Sequence, residues 1–183
     1  MDPNAAQSAP PPPPEDHAKL EDLSGKIDKS GCYARNEDSR YPMTNLFIGD
    51  TRLGCKSDAD EQIIIHIEFQ EYVKVHSIKF TEFNLGLDAE NNPTEVAVFA
   101  NRCNLGFEDI DDVDPTQEFE LTAEDLKEGA DPILLKFVKF QRVRSITLYI
   151  KDNAGGEISA LGALKITGRP VVTTNMADFA KQG

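Results

Sequence analysis

The sequence predicts an all-β domain of the sandwich or jelly-roll type, and three features support this prediction. Residues 63–69 alternate apolar and polar positions at the period-two spacing of a β-strand. Further short β-forming runs follow at residues 95–100 and 145–151. Almost no helical periodicity separates these runs, which favours antiparallel pairing over a βαβ arrangement.

The composition is that of one acidic domain. The chain has 183 residues, 39% of them hydrophobic, which is enough for a single core with tails. Its formal net charge is -13, and nucleic-acid affinity depends on clustered Lys and Arg. No apolar run approaches the roughly 18 residues of a membrane span. We therefore expect no nucleic-acid or membrane partner, and a location in the cytoplasm or nucleus.

The cysteines and histidines do not form a recognisable site. Cys32, Cys55 and Cys103 are far apart, odd in number and never spaced as C-x-x-C, which predicts reduced thiols. The three histidines do not fall at metal-ligand spacings with them. His66 and His76 have no nucleophile motif nearby, so we expect ordinary sheet histidines, no cofactor and no enzymatic activity.

The chain divides into a tail and one domain. Residues 1–17 lack hydrophobic periodicity, and residues 10–14 are all proline, which predicts an extended polyproline II spacer. The domain is expected to occupy residues 18–183. Leu20, Leu23 and Ile27 recur at three- to four-residue spacing, which predicts a short helix at its start.

The first strong strand, residues 63–69, is expected to point its odd-numbered side chains into the core and its even-numbered ones mostly to solvent. Residues 73–75 and 78–80 alternate in opposite phases, which predicts a bulge near His76 and Ser77. Because only residues 70–72 separate these runs from the first strand, we expect an antiparallel hairpin there.

The second half of the chain continues the β pattern. Residues 95–100 form the next predicted strand, and residues 104–120 an acidic loop. Thr122 with Asp125 three positions later predicts a capped short helix that stops before Gly129. Strands are then predicted within residues 133–140, 145–151 and 164–168.

Two acidic segments are candidate sites. Asp58, Asp60 and Glu61 precede the first strong strand, where they would cap backbone N–H groups, contact a basic partner groove or, as the weakest alternative, bind calcium. Residues 108–114 are also acidic but lack the glycine of a tight ion loop, which favours a solvated loop.

The C-terminal segment is the other candidate site. Asn175, Met176, Asp178 and Phe179 lie in a stretch too polar for another core strand. Two interpretations stay open: a clasp that packs back on the sandwich, and an anchor for a partner.

Four blocks, in order, resemble the PITH domain family. They are residues 58–62, 73–80, 135–145 and 174–179. The resemblance covers residues 20–181 and implies a jelly-roll β-sandwich similar to galactose-binding domains, with one or two short helices. It also implies binding to the proteasome regulatory particle, in cytoplasm and nucleus. The residues Cys55-Lys56-Ser57 depart from the family pattern by placing a base where relatives commonly carry an acid.

The leading functional prediction is a non-catalytic module, monomeric on its own, that binds the proteasome regulatory particle. The alternative is a structural adaptor of another large assembly, such as the ciliary axoneme. The family also occurs beside a thioredoxin-like domain, whose C-x-x-C pair these residues lack, so we expect no reductase activity. A lectin role is disfavoured because the chain has no Trp and only four Tyr to stack on sugar rings.

Overall fold

The computed structural model describes residues 19–172, which form antiparallel β-strands connected by loops that contain short 3-10 turns. The strands are β1 (Glu21–Asp22), β2 (Tyr33–Arg35), β3 (Cys55–Lys56), β4 (Ile63–Thr81), β5 (Pro93–Ala100), β6 (Gln117–Glu120), β7 (Ile133–Leu134), β8 (Val143–Asn153), β9 (Ala160–Leu161) and β10 (Ala163–Pro170). The 3-10 turns are Leu23–Lys26, Lys29–Gly31, Met43–Phe47, Phe83–Gly86, Ala89–Asn91, Ile110–Asp112, Glu124–Leu126 and Phe137–Lys139. The all-β prediction is confirmed for this part of the chain.

The larger sheet has the strand order β1-β10-β4-β8-β5-β6, with β2 and β7 also pairing with β4. Strands β3 and β9 form a separate two-stranded sheet. Apolar side chains from β4, β5, β8 and β10 meet in one core, and the short turns seal its edges with Leu23, Met43, Leu46 and Leu126. Burial of each such side chain contributes roughly 1.5–3 kcal/mol.

Strand β4 runs through 19 residues without turning back, so the predicted hairpin at residues 70–72 is wrong. Its first half pairs with β8, and its second half pairs with β10. Residues 70–72 lie in an irregular stretch, because Glu68 faces Ser145 while Val73 faces Val143. The bulge predicted near His76 is confirmed: Thr167 faces Ser77 and Gly168 faces Val75, which leaves His76 unpaired with β10.

The solvated face predicted for residues 63–69 is also wrong. Ile64 and His66 are both buried. A second apolar cluster covers this face, in which Ile64 and Tyr149 pack with Leu105 and Ile110 from the loop after β5. The loop folds over the strand because its own apolar residues need cover, so both faces of β4 are buried here.

Several predicted element bounds need correction. The predicted acidic loop, residues 104–120, contains strand β6 at its end. Within residues 133–140 only Ile133–Leu134 is a strand, and Phe137–Lys139 is a 3-10 turn. The predicted first helix is reduced to the turn Leu23–Lys26. The capped turn is confirmed: the amide of Asp125 donates to Thr122 Oγ1 and the amide of Thr122 donates to Asp125 Oδ2.

Candidate interaction surfaces

The acidic loop before β4 is positioned by Asn36, which follows β2. The Asn36 side chain donates to Asp60 Oδ1 at 2.9 Å and to the Gln62 carbonyl at 2.7 Å, and accepts from the Ala59 amide at 3.0 Å. The backbone carbonyl of Asn36 accepts from the Asp58 amide at 2.9 Å. Asn36 has a φ of 71°, a left-handed conformation that asparagine tolerates better than most residues. Asn36 therefore contacts the loop at Asp58, Ala59, Asp60 and Gln62, three of them through its side chain and Asp58 through its backbone.

Two serines tie the same loop to the turn before β9. The hydroxyl of Ser57 donates to the Asp60 carbonyl and accepts from the Ser159 amide at 2.8 Å. The hydroxyl of Ser159 donates to the Glu61 carbonyl at 2.6 Å. Both serines are buried, so these bonds satisfy groups that water cannot reach.

The three predicted acidic residues therefore have different roles. Asp60 Oδ1 accepts from the Gln62 amide at 3.0 Å, so this carboxylate caps the backbone. Asp58 is exposed and Glu61 is half-buried, and no hydrogen bond or ion pair with the described residues engages either carboxylate. The loop holds Asp60 for structure and leaves Asp58 and Glu61 available to a partner.

The second acidic segment converges on the first around Tyr149. Burial raises the pKa of the Tyr149 hydroxyl to about 12, and nearby Asp111 adds to this shift, with a weaker contribution from Asp60. Nearby Gln62 acts on the same pKa in the opposite direction. Residues 58–61 and residues around Asp111 thus form one surface, which we call the acidic surface.

A groove of about 390 Å³ lies elsewhere on the domain, beside the second half of β4. Its apolar walls come from Leu20, Leu134, Leu135 and Phe137. Leu134 and Phe137 are 63% and 59% exposed, which is unusual for large apolar side chains on ordered elements. We call this the apolar groove. The strand predicted within residues 133–140 would have one buried face and gives no indication of this groove.

The wall of the groove is fixed to the sheet at both ends. The amide of Leu135 donates to the His76 carbonyl at 3.0 Å, and the amide of Val75 donates to the Phe140 carbonyl at 3.0 Å. The side chains of Leu135 and Phe140 are buried in the core. The residues between these two anchors consequently face outward.

His66 is buried within a polar network. Its Nδ1 lies 2.8 Å from Thr147 Oγ1, its Nε2 lies 3.2 Å from Glu68 Oε2, and its ring stacks on Tyr33 with centroids 4.8 Å apart. A hydroxyl, an imidazole and a carboxylate in this order resemble a nucleophilic triad. Thr147 is only 1% exposed and its hydroxyl donates to the Arg102 carbonyl, so a substrate has no path to it.

The remaining polar features are ordinary. Cys32, Cys55 and Cys103 are free thiols, and burial raises the pKa of Cys32 and Cys55. Within residues 19–172, no three His, Cys, Asp or Glu side chains are grouped to hold a metal ion. The same residues include no helix of the length and apolarity needed to cross a membrane. The proline-rich tail and the C-terminal segment with Asn175, Met176, Asp178 and Phe179 lie outside the described residues.

Comparison with solved structures identifies the fold. A family 32 carbohydrate-binding module from Clostridium perfringens NanJ, solved with galactose, superposes with a TM-score of 0.56 at 11% identity, covering 81% of this chain and 99% of that one. The C-terminal domain of a Bacteroides fragilis chitobiase gives a TM-score of 0.59 at 19% identity, covering 83% and 100%. These modules are galactose-binding-like jelly rolls, so the predicted jelly-roll sandwich is confirmed.

Comparison of sequences identifies the family. Thioredoxin-like protein 1 of Schizosaccharomyces pombe is 32% identical over 161 residues, which cover 87% of this chain and 55% of that protein. PITH domain-containing protein 1 of Homo sapiens is 26% identical over 161 residues, covering 85% and 73%. The chain thus spans about half the length of the first of these relatives. The PITH domain model matches residues 13–183, and the chain belongs to the PITH domain family.

Proposed function

We propose that this chain is a non-catalytic protein-interaction module that binds the regulatory particle of the proteasome through its acidic surface, in the cytoplasm and nucleus. The observation that supports this proposal is the convergence of two acidic segments, distant in sequence, on ordered loops at one place. The exposed Asp58 and the half-buried Glu61 are presented by backbone that Asn36 and the two serines hold in place.

The physical case rests on preorganisation and charge. A loop that is already ordered loses little conformational entropy when a partner binds. Exposed carboxylates attract a basic partner surface, so they accelerate association more than they slow dissociation, and salt weakens their effect. The expected partner surface is therefore rich in Lys and Arg.

The test is affinity purification from cell extract with the tagged full chain. At low salt we expect recovery of regulatory-particle subunits. Asp58→Asn combined with Glu61→Gln is expected to reduce this recovery about five-fold, since two rim charges contribute on the order of 1 kcal/mol. The matched control is Glu124→Gln with Glu128→Gln, which removes two exposed charges elsewhere and is expected to have no effect.

Failure to recover regulatory-particle subunits at low salt would contradict the proposed partner. Equal recovery with both double variants would contradict the proposed surface while leaving the partner in place.

A further inference from the structure

The apolar groove is exposed in a way that the fold alone does not require. The segment from the end of β7 to β8 combines buried anchors with outward apolar residues: Leu135 and Phe140 enter the core, whereas Leu134, Phe137 and Val138 point away from it. Val138 is 79% exposed, so the apolar patch continues beyond the groove itself. Soluble domains rarely keep such contiguous patches on ordered elements unless something binds them.

The charge around the groove is opposite to that of the rest of the chain. Lys74 and Arg169 line it, and no acidic side chain lines it among the described residues. The sequence from residue 132 to residue 151 contains no Asp or Glu, although the chain carries 32 acidic residues in total. Within this stretch Lys136, Lys139 and Arg142 are exposed. A partner that fits this surface therefore combines apolar side chains with negative charge.

We propose that the apolar groove is a docking site for a short segment of a partner protein that carries both large apolar and acidic side chains. The apolar residues occupy the space between Leu20, Leu134 and Phe137, while the carboxylates pair with Lys74. The groove volume of about 390 Å³ holds a few side chains, and the patch that extends to Val138 offers room for more. A segment of protein matches this shape better than a small molecule, which would leave the outer patch uncovered.

This docking site is separate from the acidic surface and selects a partner of the opposite charge. The proposal therefore does not depend on binding of the proteasome regulatory particle. A mutation that abolishes binding at one of these surfaces is expected to leave binding at the other surface intact.

The test begins with selection of a displayed library of random 12-residue peptides on the full chain. We expect enriched peptides to contain at least two large apolar residues and an excess of Asp and Glu over Lys and Arg. A synthetic copy of the best peptide is then titrated against variants. Leu134→Ser with Phe137→Ser is expected to weaken its binding at least ten-fold, and Lys74→Glu about five-fold.

Matched controls use equivalent residues away from the groove. Leu85 and Leu87 are 67% and 60% exposed, so Leu85→Ser with Leu87→Ser removes a similar apolar area and is expected to leave binding unchanged. Lys165→Glu makes the same charge change at an exposed position of β10 outside the groove lining and is also expected to be neutral. Lys74 is half-buried and the other substituted side chains are exposed, so the variants are expected to remain folded, as checked by circular dichroism.

Three outcomes would overturn the proposal: no enriched peptides, enrichment of basic peptides, or peptides that bind the Leu134→Ser, Phe137→Ser variant as tightly as the original chain. The chain's own C-terminal segment is the alternative occupant. If acidic apolar peptides are enriched only on the full-length Met176→Ser, Phe179→Ser variant, the groove belongs to that segment and the proposal of a separate partner fails.

Discussion

The acidic surface and the apolar groove lie on the same domain but are held in place by different forces. Side-chain hydrogen bonds from Asn36, Ser57 and Ser159 to loop backbone order the acidic surface. Buried apolar anchors, Leu135 and Phe140, together with backbone pairing to β4, order the groove. The first surface depends on a few specific polar contacts, and the second depends on core packing.

This difference has a physical reason. Carboxylates remain hydrated when they are exposed, so a loop that displays them needs only local hydrogen bonds to keep its shape. Burial of Leu134 and Phe137 would lower the free energy of the folded chain. Their side chains remain exposed because the neighbouring anchors already fill the core. The two surfaces should therefore respond differently to mutation.

The largest expected effect comes from removing the groove's main anchor. Phe140→Ala deletes a fully buried ring and is expected to lower the free energy of unfolding by about 3–5 kcal/mol. Phe137→Ala, the same substitution three residues away on an exposed side chain, is expected to change it by about 0.5 kcal/mol or less. Urea unfolding of both variants measures this contrast. Equal losses would show that Phe137 supports the core and is not free for a partner.

The next largest loss of unfolding free energy is expected from substitution of Asn36, whose side chain orders the acidic surface. Asn36→Ala removes three side-chain hydrogen bonds and places alanine at a positive φ, so we expect a loss of about 2 kcal/mol in unfolding free energy. Asn104 provides the control because it also has a positive φ of 61°, and its side chain makes no hydrogen bond within the described residues.

Asn104→Ala therefore reports the backbone strain alone, and its cost is expected to be about 1–2 kcal/mol smaller than that of Asn36→Ala. Chemical denaturation of the two variants under one set of conditions gives the comparison. If both cost the same, the Asn36 side chain does not organise the loop.

The sequence predicted the strands better than the surfaces. Period-two alternation located β4, β5, β8 and β10 because a strand that buries at least one face leaves that local signal. The alternation did not give the correct structure at residues 70–72, because three residues between two β runs fit either a hairpin or a bulged continuous strand. Pairing with β8 on one half and β10 on the other decides between them, and neither partner is visible locally.

The same limit applies to the candidate sites. The sequence indicated Asp58, Asp60 and Glu61 but not that Asn36, which lies 24 residues before Asp60, orders their loop. It also treated the two acidic segments separately, although both approach Tyr149. For the groove a signal was present: apolar residues occupy both phases of residues 133–138, and a strand with one buried face cannot cover them all.

The convergence at the acidic surface is tested through pH. The folded-state pKa of Tyr149 is raised to about 12 from an ordinary value of 10. The stability that comes from keeping this hydroxyl protonated is therefore fully present below pH 10 and is lost as the pH rises from 10 towards 12. Over that window the unfolded chain loses a proton that the folded chain keeps. Tyr149→Phe is expected to make the fall in stability shallower, as measured by urea unfolding at several pH values.

Asp111→Asn isolates the part of this shift that comes from the second acidic segment. Removing the charge beside the hydroxyl is expected to lower the pKa of Tyr149, visible as an earlier onset of tyrosinate absorbance. Asp114→Asn makes the same change at an exposed position of the same loop that does not contribute to the shift, so it is expected to leave the titration unchanged. Identical titrations for the two variants would mean that the loop containing Asp111 does not approach Tyr149, and that the acidic surface is two separate patches.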